Sequence, residues 1–141
     1  MSNFATTLHI RDHCLCLHTQ RAARALARRF DAVFRPLGIT SGQFSLLNAL
    51  NRPSPAPMVQ VAALLAMDRT TLTAALKPLE RQGLALSHPN PQDRRARLLV
   101  LTDAGRALLA RATPLWVAEH AQVEATLATP EALRQGLRQL S

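Results

Sequence analysis

Residues 67–85 read MDRTTLTAALKPLERQGLA, and this stretch decides the fold. Asp68 is a good helix N-cap because its carboxylate accepts hydrogen bonds from the first free backbone amides. Gly83 is a typical residue at the end of a helix. Between them, apolar residues recur at helical spacing and form one face: Leu72, Ala75, Leu76 and Leu79. The stretch therefore predicts an amphipathic helix from Arg69 to Gln82.

A second short helix precedes this one. Residues 58–66, MVQVAALLA, are apolar and contain no helix breaker, whereas residues 51–57, NRPSPAP, contain three prolines and predict an extended connector. A short helix, a tight turn and a second helix make a helix-turn-helix over residues 58–82.

The residues after Gly83 predict a β-hairpin, which we call the wing (residues 84–101). Two short apolar runs, 84–88 and 97–101, are separated by the polar tip PNPQDRRA. Together with the helix-turn-helix and its connector, the wing completes a lobe over residues 53–101.

Long helical patterns flank this lobe at residues 12–37 and 102–141. Their apolar residues recur every three or four positions, Thr102 is a good N-cap, and Pro114 predicts a bend. The core of so small a domain cannot bury all the apolar surface of these segments, so we expect them to be dimerisation helices. The fold class predicted for residues 1–141 is mainly α with a small β-hairpin wing: one winged helix-turn-helix domain with N- and C-terminal dimerisation helices.

Charge points to a polyanionic partner. The formal net charge is +8, and Lys77 is the only lysine among 17 basic residues. Arginine provides a planar fork suited to phosphates and guanine edges, which favours nucleic acid. No apolar run of ~18 residues could cross a bilayer, and the N-terminus lacks the pattern of a signal peptide. We expect a cytoplasmic protein without a membrane partner.

Two clusters carry the predicted DNA contacts. The polar face of the second helix combines short hydroxyl side chains with cations that reach bases or phosphates: Arg69, Thr70, Thr73 and Lys77. The tip of the wing combines Asp93, Arg94, Arg95 and Arg97. We expect Arg95 to enter a minor groove with its guanidinium held by Asp93, while Arg94 or Arg97 contacts phosphate.

MDRTTLTAALKPLERQGLA followed by DRRARLLVLTDAGRALL closely resembles the multiple antibiotic resistance regulator (MarR) family of winged helix repressors. The resemblance implies a homodimer on double-stranded DNA with a pseudo-palindromic operator, recognition helices in successive major grooves and wings in the flanking minor grooves. By this resemblance Thr70, Thr71, Thr73 and Lys77 match recognition-helix positions, and Asp93 and Arg95 match the wing pair.

The chain departs from the family pattern at four positions. Asn90 and Gln92 stand where a second Asp and another Arg are frequent, and Ala66 stands where glycine is common. Pro78 lies inside the recognition helix and predicts a kink or a lost hydrogen bond. These departures concern the wing contacts rather than the fold.

The resemblance also implies a small-molecule effector, either anionic or phenolic, in a cleft between the dimerisation helices and the DNA-binding lobe. Phe44 and Trp116 are aromatic candidates for this cleft, and the polar candidates are His18, Arg21, Gln43 and His120. The function predicted on this basis is a repressor that a small aromatic or anionic ligand releases.

Two alternative sensing mechanisms remain open. Cys16 falls where the hydroperoxide-sensing members of the family carry their reactive cysteine, although the chain has no tyrosine to hold a thiolate. His9, His13 and Cys16 would share one face of a helix that reached back to His9, which would suit a metal-responsive regulator. Because a fourth ligand is lacking, no metal residue is assigned.

An enzyme is the competing class of protein. The chain contains no GxSxG, P-loop, GxGxxG or HExxH motif, and no histidine has a carboxylate partner placed by a motif. We therefore predict a non-enzymatic regulator that needs no cofactor.

Overall fold

The computed structural model describes residues 3–141. Its helices are α1 (Phe4–His13), α2 (Leu15–Phe34), α3 (Ser41–Leu50), α4 (Met58–Leu65), α5 (Arg69–Arg81), α6 (Asp103–Ala125) and α7 (Pro130–Leu140). Its strands are β1 (Ala56–Pro57), β2 (Ala85–Asn90) and β3 (Asp93–Leu101). The predicted class, mainly α with a small β-hairpin wing, is confirmed.

The predicted helix over residues 12–37 is interrupted at both ends. Cys14 adopts an extended conformation with ψ of 111°, which separates α1 from α2. The ring of His18 donates to the carbonyl of Asp12 across this break, at 3.1 Å, and so satisfies an acceptor that the helix no longer uses. At the other end α2 tightens into a 3₁₀ turn at Arg35–Leu37, which contains Pro36.

The helix-turn-helix forms as predicted, with α4 and α5 joined by a tight turn. Ala66 ends α4 in the left-handed conformation, with φ of +52°, at the position where the family commonly has glycine. Asp68 then caps α5 by accepting the backbone amide of Thr71 at 2.7 Å. Helix α5 continues through Pro78, and its apolar residues Leu72 and Leu79 are fully buried.

The wing belongs to a three-stranded antiparallel sheet of order β1-β3-β2. Strands β2 and β3 are joined by the two-residue turn 91–92, with Asn90 opposite Asp93. Strand β1 lies within the connector predicted as extended, and Ala56 pairs with Leu99. The sheet therefore ties the connector before α4 to the wing after α5.

Helix α6 lies very close to the sheet at Gly105. A Cβ atom on this glycine would lie 2.3 Å from the carbonyl oxygen of Leu84 and 2.5 Å from Cδ1 of Leu101. Thr102 fixes the start of the helix, because its hydroxyl accepts the amide of Gly105 and donates to the carbonyl of Gly83. The wing and α6 are thus held together as one unit.

The terminal helices expose much apolar surface in the single chain. Large apolar residues at least 38% exposed occur on α1, α2, α6 and α7, namely Phe4, Ile10, Leu15, Leu26, Leu115, Val117, Leu133, Leu137 and Leu140. Helix α7 has no buried residue and is tied to α6 by an ion pair between Arg134 and Glu124. Hydrogen bonds from Arg134 and Arg138 lower the pKa of Glu131 on the same helix. No described helix is both long and apolar enough to span a membrane.

Candidate nucleic-acid interface and ligand cleft

Helix α5 presents its predicted polar face to solvent. The side chains of Thr70, Thr71, Thr73 and Lys77 are exposed, while Leu72, Leu76 and Leu79 fix the opposite face in the core. The hydrogen bonds from the backbone amides to Asp68 lower the pKa of its carboxyl, so this cap is charged at neutral pH. The hydroxyl of Thr73 donates to the carbonyl of Arg69 at 2.8 Å, and its oxygen remains free to accept another hydrogen bond.

Asp93 in the wing differs from its predicted role. Its carboxylate accepts the backbone amide of Arg95 at 3.0 Å, and no ion pair joins it to an arginine within residues 3–141. The reason is local, since an aspartate two residues before an amide readily forms this closed turn. Asp93 therefore shapes the backbone of the wing rather than holding the guanidinium of Arg95.

Two arginines join parts of this surface to each other. Arg69, the first residue of α5, donates from Nη2 to the carbonyl of Arg95 at 3.4 Å. Arg97 donates from Nη2 to the hydroxyl of Ser87 on the neighbouring strand at 2.9 Å. The first contact links the recognition helix to the wing, and the second links the two strands of the wing.

The cations of this surface have no acidic partners in the described chain. No carboxylate lies within 4.0 Å of the charged groups of Arg69, Lys77, Arg94, Arg95 or Arg97. Other arginines do pair, for example Arg29 with Glu119 between α2 and α6. Unpaired cations side by side create a positive potential that attracts a polyanion.

A separate cleft opens where α3, α4 and α6 meet, on the α6 side of the helix-turn-helix. We call it the Trp116 cleft; it has a volume of about 450 Å³ and is lined by Phe44, Ser45, Asn48, Ala49, Leu64, Thr113 and Trp116. Each aromatic wall is supported by another ring. Phe44 stacks on Phe34 with ring centres 4.5 Å apart, and Trp116 stacks on His120 at 4.4 Å.

The structure brings together two of the predicted ligand residues, Phe44 and Trp116. Gln43 is engaged in a capping box with Thr40 at the start of α3. His18 lies in the first turn of α2 and its ring reaches back across the break to α1, and neither His18 nor Arg21 lines the Trp116 cleft.

Sequence reasoning missed the polar residues of the Trp116 cleft. Asn48 lies four residues after Phe44 on α3, and Thr113 lies three residues before Trp116 on α6. Residues at these spacings share a helix face. The positions of the two aromatic residues could therefore have identified Asn48 and Thr113.

The residues predicted for thiol or metal sensing belong neither to α5 and the wing nor to the lining of the Trp116 cleft. Cys16 is exposed, and its sulfur accepts the side-chain amide of Gln20 at 3.1 Å. The break at Cys14 removes the continuous helix face that would have placed His9, His13 and Cys16 together, so this arrangement is wrong. Residues 3–141 contain no group of three or more side chains that could hold a metal ion.

Comparisons with known proteins agree on one family. The MarR family model matches residues 39–96. The chain is 37% identical to the M. tuberculosis transcriptional regulator MosR, crystallised in complex with DNA, over 91% of this chain and 93% of that one, with a TM-score of 0.83. The PcaV transcriptional regulator from Streptomyces coelicolor, crystallised with its natural ligand, is 27% identical over 91% of this chain and 94% of PcaV, with a TM-score of 0.73.

Curated relatives agree with these structures. The transcriptional activatory protein BadR from Rhodopseudomonas palustris is 38% identical in an alignment 72 residues long, which covers 49% of this chain and 41% of BadR. The part of the chain that matches therefore spans less than half the length of BadR. All three proteins are transcriptional regulators, and the prediction of a regulator rather than an enzyme is confirmed. The unpaired cations beside an exposed recognition helix, the winged fold and these similarities agree: the chain belongs to the MarR family of transcriptional regulators.

Proposed function

We propose that the chain acts as a homodimer that binds a pseudo-palindromic operator in double-stranded DNA and represses transcription until a small aromatic or anionic ligand releases it. One observation carries the proposal. The exposed face of α5 and the wing form one surface whose cations have no carboxylate partner among residues 3–141. DNA phosphates and base edges would supply the missing acceptors.

The residues of this surface divide into two roles. Thr70, Thr71, Thr73 and Lys77 occupy the face of α5 that would enter a major groove, where short hydroxyls reach base edges. Arg94 and Arg95 lie at the exposed tip of the wing, where a guanidinium can enter the narrow minor groove. Arg69 and Arg97 join the wing to α5 and to its own strands, so we assign them to holding this surface in shape.

Dimerisation is supported by the apolar residues on α1, α2, α6 and α7. Leu133 and Leu137 lie on one face of α7 and are 47% and 42% exposed, while the ion pairs of Arg134 and Arg138 occupy another face. A second copy of the chain would bury the apolar face of α7. Light scattering should give twice the 15.4 kDa mass of one chain, and a monomer would contradict the proposal.

The operator is best identified by selection from random DNA duplexes. A twofold-symmetric dimer should enrich two half-sites whose centres lie about 10 base pairs apart, because its recognition helices would enter successive major grooves. Failure to enrich any sequence would indicate nonspecific binding, and an asymmetric sequence would contradict the symmetric dimer.

The selected duplex then allows a test of the wing. Arg95→Ala should weaken operator binding by about 1 to 3 kcal/mol in a fluorescence anisotropy titration. Arg106→Ala is the charge-matched control, because it removes one positive charge at the start of α6, where Arg106 pairs with Asp103. Equal binding by Arg95→Ala and the parent would show that the wing does not contact DNA.

Release by an oxidant through Cys16 is a second candidate, favoured by the exposure of this residue and by the hydrogen bond that its sulfur accepts from Gln20. The thiolate would attack one oxygen of a hydroperoxide, which forms a sulfenic acid and releases the alcohol. Peroxide should then abolish operator binding by the parent but not by Cys16→Ser, and dithiothreitol should restore it. Operator binding that is insensitive to peroxide would exclude this mechanism.

A further inference from the structure

We propose that Lys77 is an acylation site, at which a small acyl phosphate such as acetyl phosphate transfers its acyl group to the side-chain nitrogen and thereby weakens DNA binding. This inference rests on the proposed function, because it names a way in which the same DNA-binding surface is regulated. It follows from three observations: the chain has a single lysine, this lysine is exposed on the recognition helix, and arginines line the groove beside it.

Lys77 is the only lysine among the 17 basic residues, so it provides the only side-chain amine of the protein. A guanidinium stays protonated, whereas the ammonium of a lysine can release a proton and become a nucleophilic amine. Lys77 is exposed, and no carboxylate of the described chain lies within 4.0 Å of its nitrogen. Acylation of side-chain amines is therefore confined to the face of α5 that would enter a major groove.

A groove between α5 and the wing holds the groups that an acyl phosphate needs. We call it the Lys77 groove; it has a volume of about 310 Å³, and its lining includes Met58, Arg69, Lys77, Glu80, Ser87 and Arg97. Met58 is buried and contributes apolar surface, against which the methyl group of a small acyl chain can pack. The groove thus places a nucleophile, an apolar contact and two guanidinium groups around one space.

The arginines of the groove keep donors available for a phosphate. Arg97 is half-buried and uses Nη2 to bond the hydroxyl of Ser87, which fixes the side chain and leaves its other N–H groups free. Arg69 adds a second positive charge. Glu80 is the only acidic residue of the lining within residues 3–141, and it forms no ion pair within 4.0 Å. A phosphate would be held by the fork of Arg97, because paired N–H donors match its oxygens.

The reaction needs no partner other than the acyl phosphate. The neutral amine of Lys77 attacks the carbonyl carbon of the acyl group, which forms a C–N bond. The bond from this carbon to the bridging oxygen breaks, and inorganic phosphate leaves with the electron pair. The nitrogen loses a proton to the solvent, and the products are a side-chain amide and inorganic phosphate.

The amide cannot replace the ammonium in binding DNA, because acylation removes the positive charge and adds bulk on the face of α5. We expect acylated protein to bind the selected operator at least roughly tenfold more weakly, which corresponds to losing one hydrogen bond from a charged group. The slope of log K against log salt should fall by about 0.9 at the same time.

The first experiment measures whether the groove favours an acyl phosphate. The DNA-free protein is treated with acetyl phosphate or with the uncharged ester 4-nitrophenyl acetate, and Nα-acetyl-lysine amide in the same tube serves as a reference amine. Peptide mass spectrometry gives the rate at Lys77 relative to the reference. We expect this ratio to be roughly tenfold higher with acetyl phosphate, because the arginines concentrate an anionic donor. Equal ratios for the two donors would overturn the assignment.

Variants separate the charge of Arg97 from its structural contact. Arg97→Ala should lower the ratio for acetyl phosphate to that for the ester. Ser87→Ala removes the hydrogen bond but keeps the cation, and Arg106→Ala removes a cation that does not line the groove; both should retain the preference. Circular dichroism verifies that the variants fold. An equal loss in Ser87→Ala or in Arg106→Ala would show that Arg97 does not bind the phosphate, which contradicts the proposal.

The second experiment measures the consequence for DNA. Operator binding is compared before and after acetyl phosphate treatment, for the parent and for Lys77→Arg, each relative to its own untreated sample. Treatment should weaken binding by the parent and leave that of Lys77→Arg at its untreated value. An equal loss in both would place the sensitive site elsewhere. A parent that selects no operator refutes the proposed function, whereas a parent that binds its operator equally well after acylation of Lys77 refutes only this inference.

Discussion

Arg69 and Arg95 should affect DNA binding in different ways, although both are arginines of the same surface. The guanidinium of Arg69 donates to the backbone carbonyl of Arg95, whereas the side chain of Arg95 extends from the wing into solvent. Arg69 is therefore predicted to position the wing without neutralising a phosphate, and Arg95 to contact DNA directly. The variants Arg69→Ala and Arg95→Ala distinguish these two roles.

The magnitudes follow from the type of contact. One hydrogen bond is worth about 0.5 to 1.5 kcal/mol, so Arg69→Ala should weaken operator binding by roughly 2- to 12-fold. Removing a cation that neutralises phosphate also lowers the slope of log K against log salt by about 0.9. We expect Arg95→Ala to lower this slope and Arg69→Ala to leave it unchanged. Lys77→Ala, on the exposed face of α5, should lower it as Arg95→Ala does.

Anisotropy titrations of the selected operator at four or more salt concentrations provide the assay. The double variant gives a second criterion. If Arg69 acts by positioning the wing, it contributes less to DNA affinity once the Arg95 side chain that contacts DNA has been removed. The effect of Arg69→Ala should therefore shrink in the Arg95→Ala background. The reasoning is refuted if Arg69→Ala lowers the salt slope by about one unit and the two effects add.

Three further predictions concern the elements that hold this surface. Gly105→Ala should destabilise the protein by about 1 to 3 kcal/mol in urea unfolding at fixed protein concentration, because the new Cβ would meet the carbonyl of Leu84 at 2.3 Å; an unchanged midpoint would contradict the close approach of α6. Ala66→Gly should raise the free energy of unfolding by up to about 1 kcal/mol in the same assay, because φ of +52° is strained for alanine and not for glycine. The hydrogen bond from the backbone amide of Thr71 lowers the pKa of Asp68 in the folded state. The charged cap therefore adds its full stability at any pH above the pKa of Asp68 in the unfolded state. This stability is lost as the pH falls through the lower pKa of the folded state. The difference in Tm between the parent and Asp68→Asn should therefore shrink as the solution is acidified below about pH 4, and a constant difference would argue against a charged cap.

The sequence predicts the central lobe well because its signals are local. Asp68 and Gly83 mark the two ends of the recognition helix within a few residues of where the structure has them, and the polar tip of the wing lies between two short apolar runs. Caps and turns depend on hydrogen bonds between residues two to four apart, so they are visible in a short stretch of sequence.

Two features of the backbone were not predicted. Nothing near Cys14 is a helix breaker, yet the helix is interrupted there and His18 satisfies the free carbonyl of Asp12. Likewise, Ala56 is a strand residue only because it pairs with Leu99, which lies more than forty positions later in the sequence. Neither contact leaves a periodic signal in its own part of the sequence.

The role of Asp93 illustrates a third kind of limit. Opposite charges two residues apart predicted an ion pair between Asp93 and Arg95, but the carboxylate bonds the backbone amide instead. A carboxylate gains more from a fixed amide nearby than from a mobile, solvated guanidinium, because an exposed ion pair is worth little. The guanidinium of Arg95 is thereby left without an acceptor in the described chain, which is what a DNA contact requires.

The position of the Trp116 cleft explains how a small molecule could affect a surface that it does not touch. Leu64 belongs to α4, the first helix of the helix-turn-helix, while Trp116 belongs to α6, which also carries exposed apolar residues. A ring inserted between these side chains would set the distance from α4 to α6, and thus the separation of the two recognition helices in a dimer. A ligand shifts this equilibrium only if it binds one separation of the recognition helices more tightly than the other. A 100-fold loss of operator affinity therefore requires the ligand to favour the separation that does not fit DNA by about 2.7 kcal/mol. Burial of one aromatic ring supplies a free energy of this size, provided that the separation which fits DNA closes the cleft.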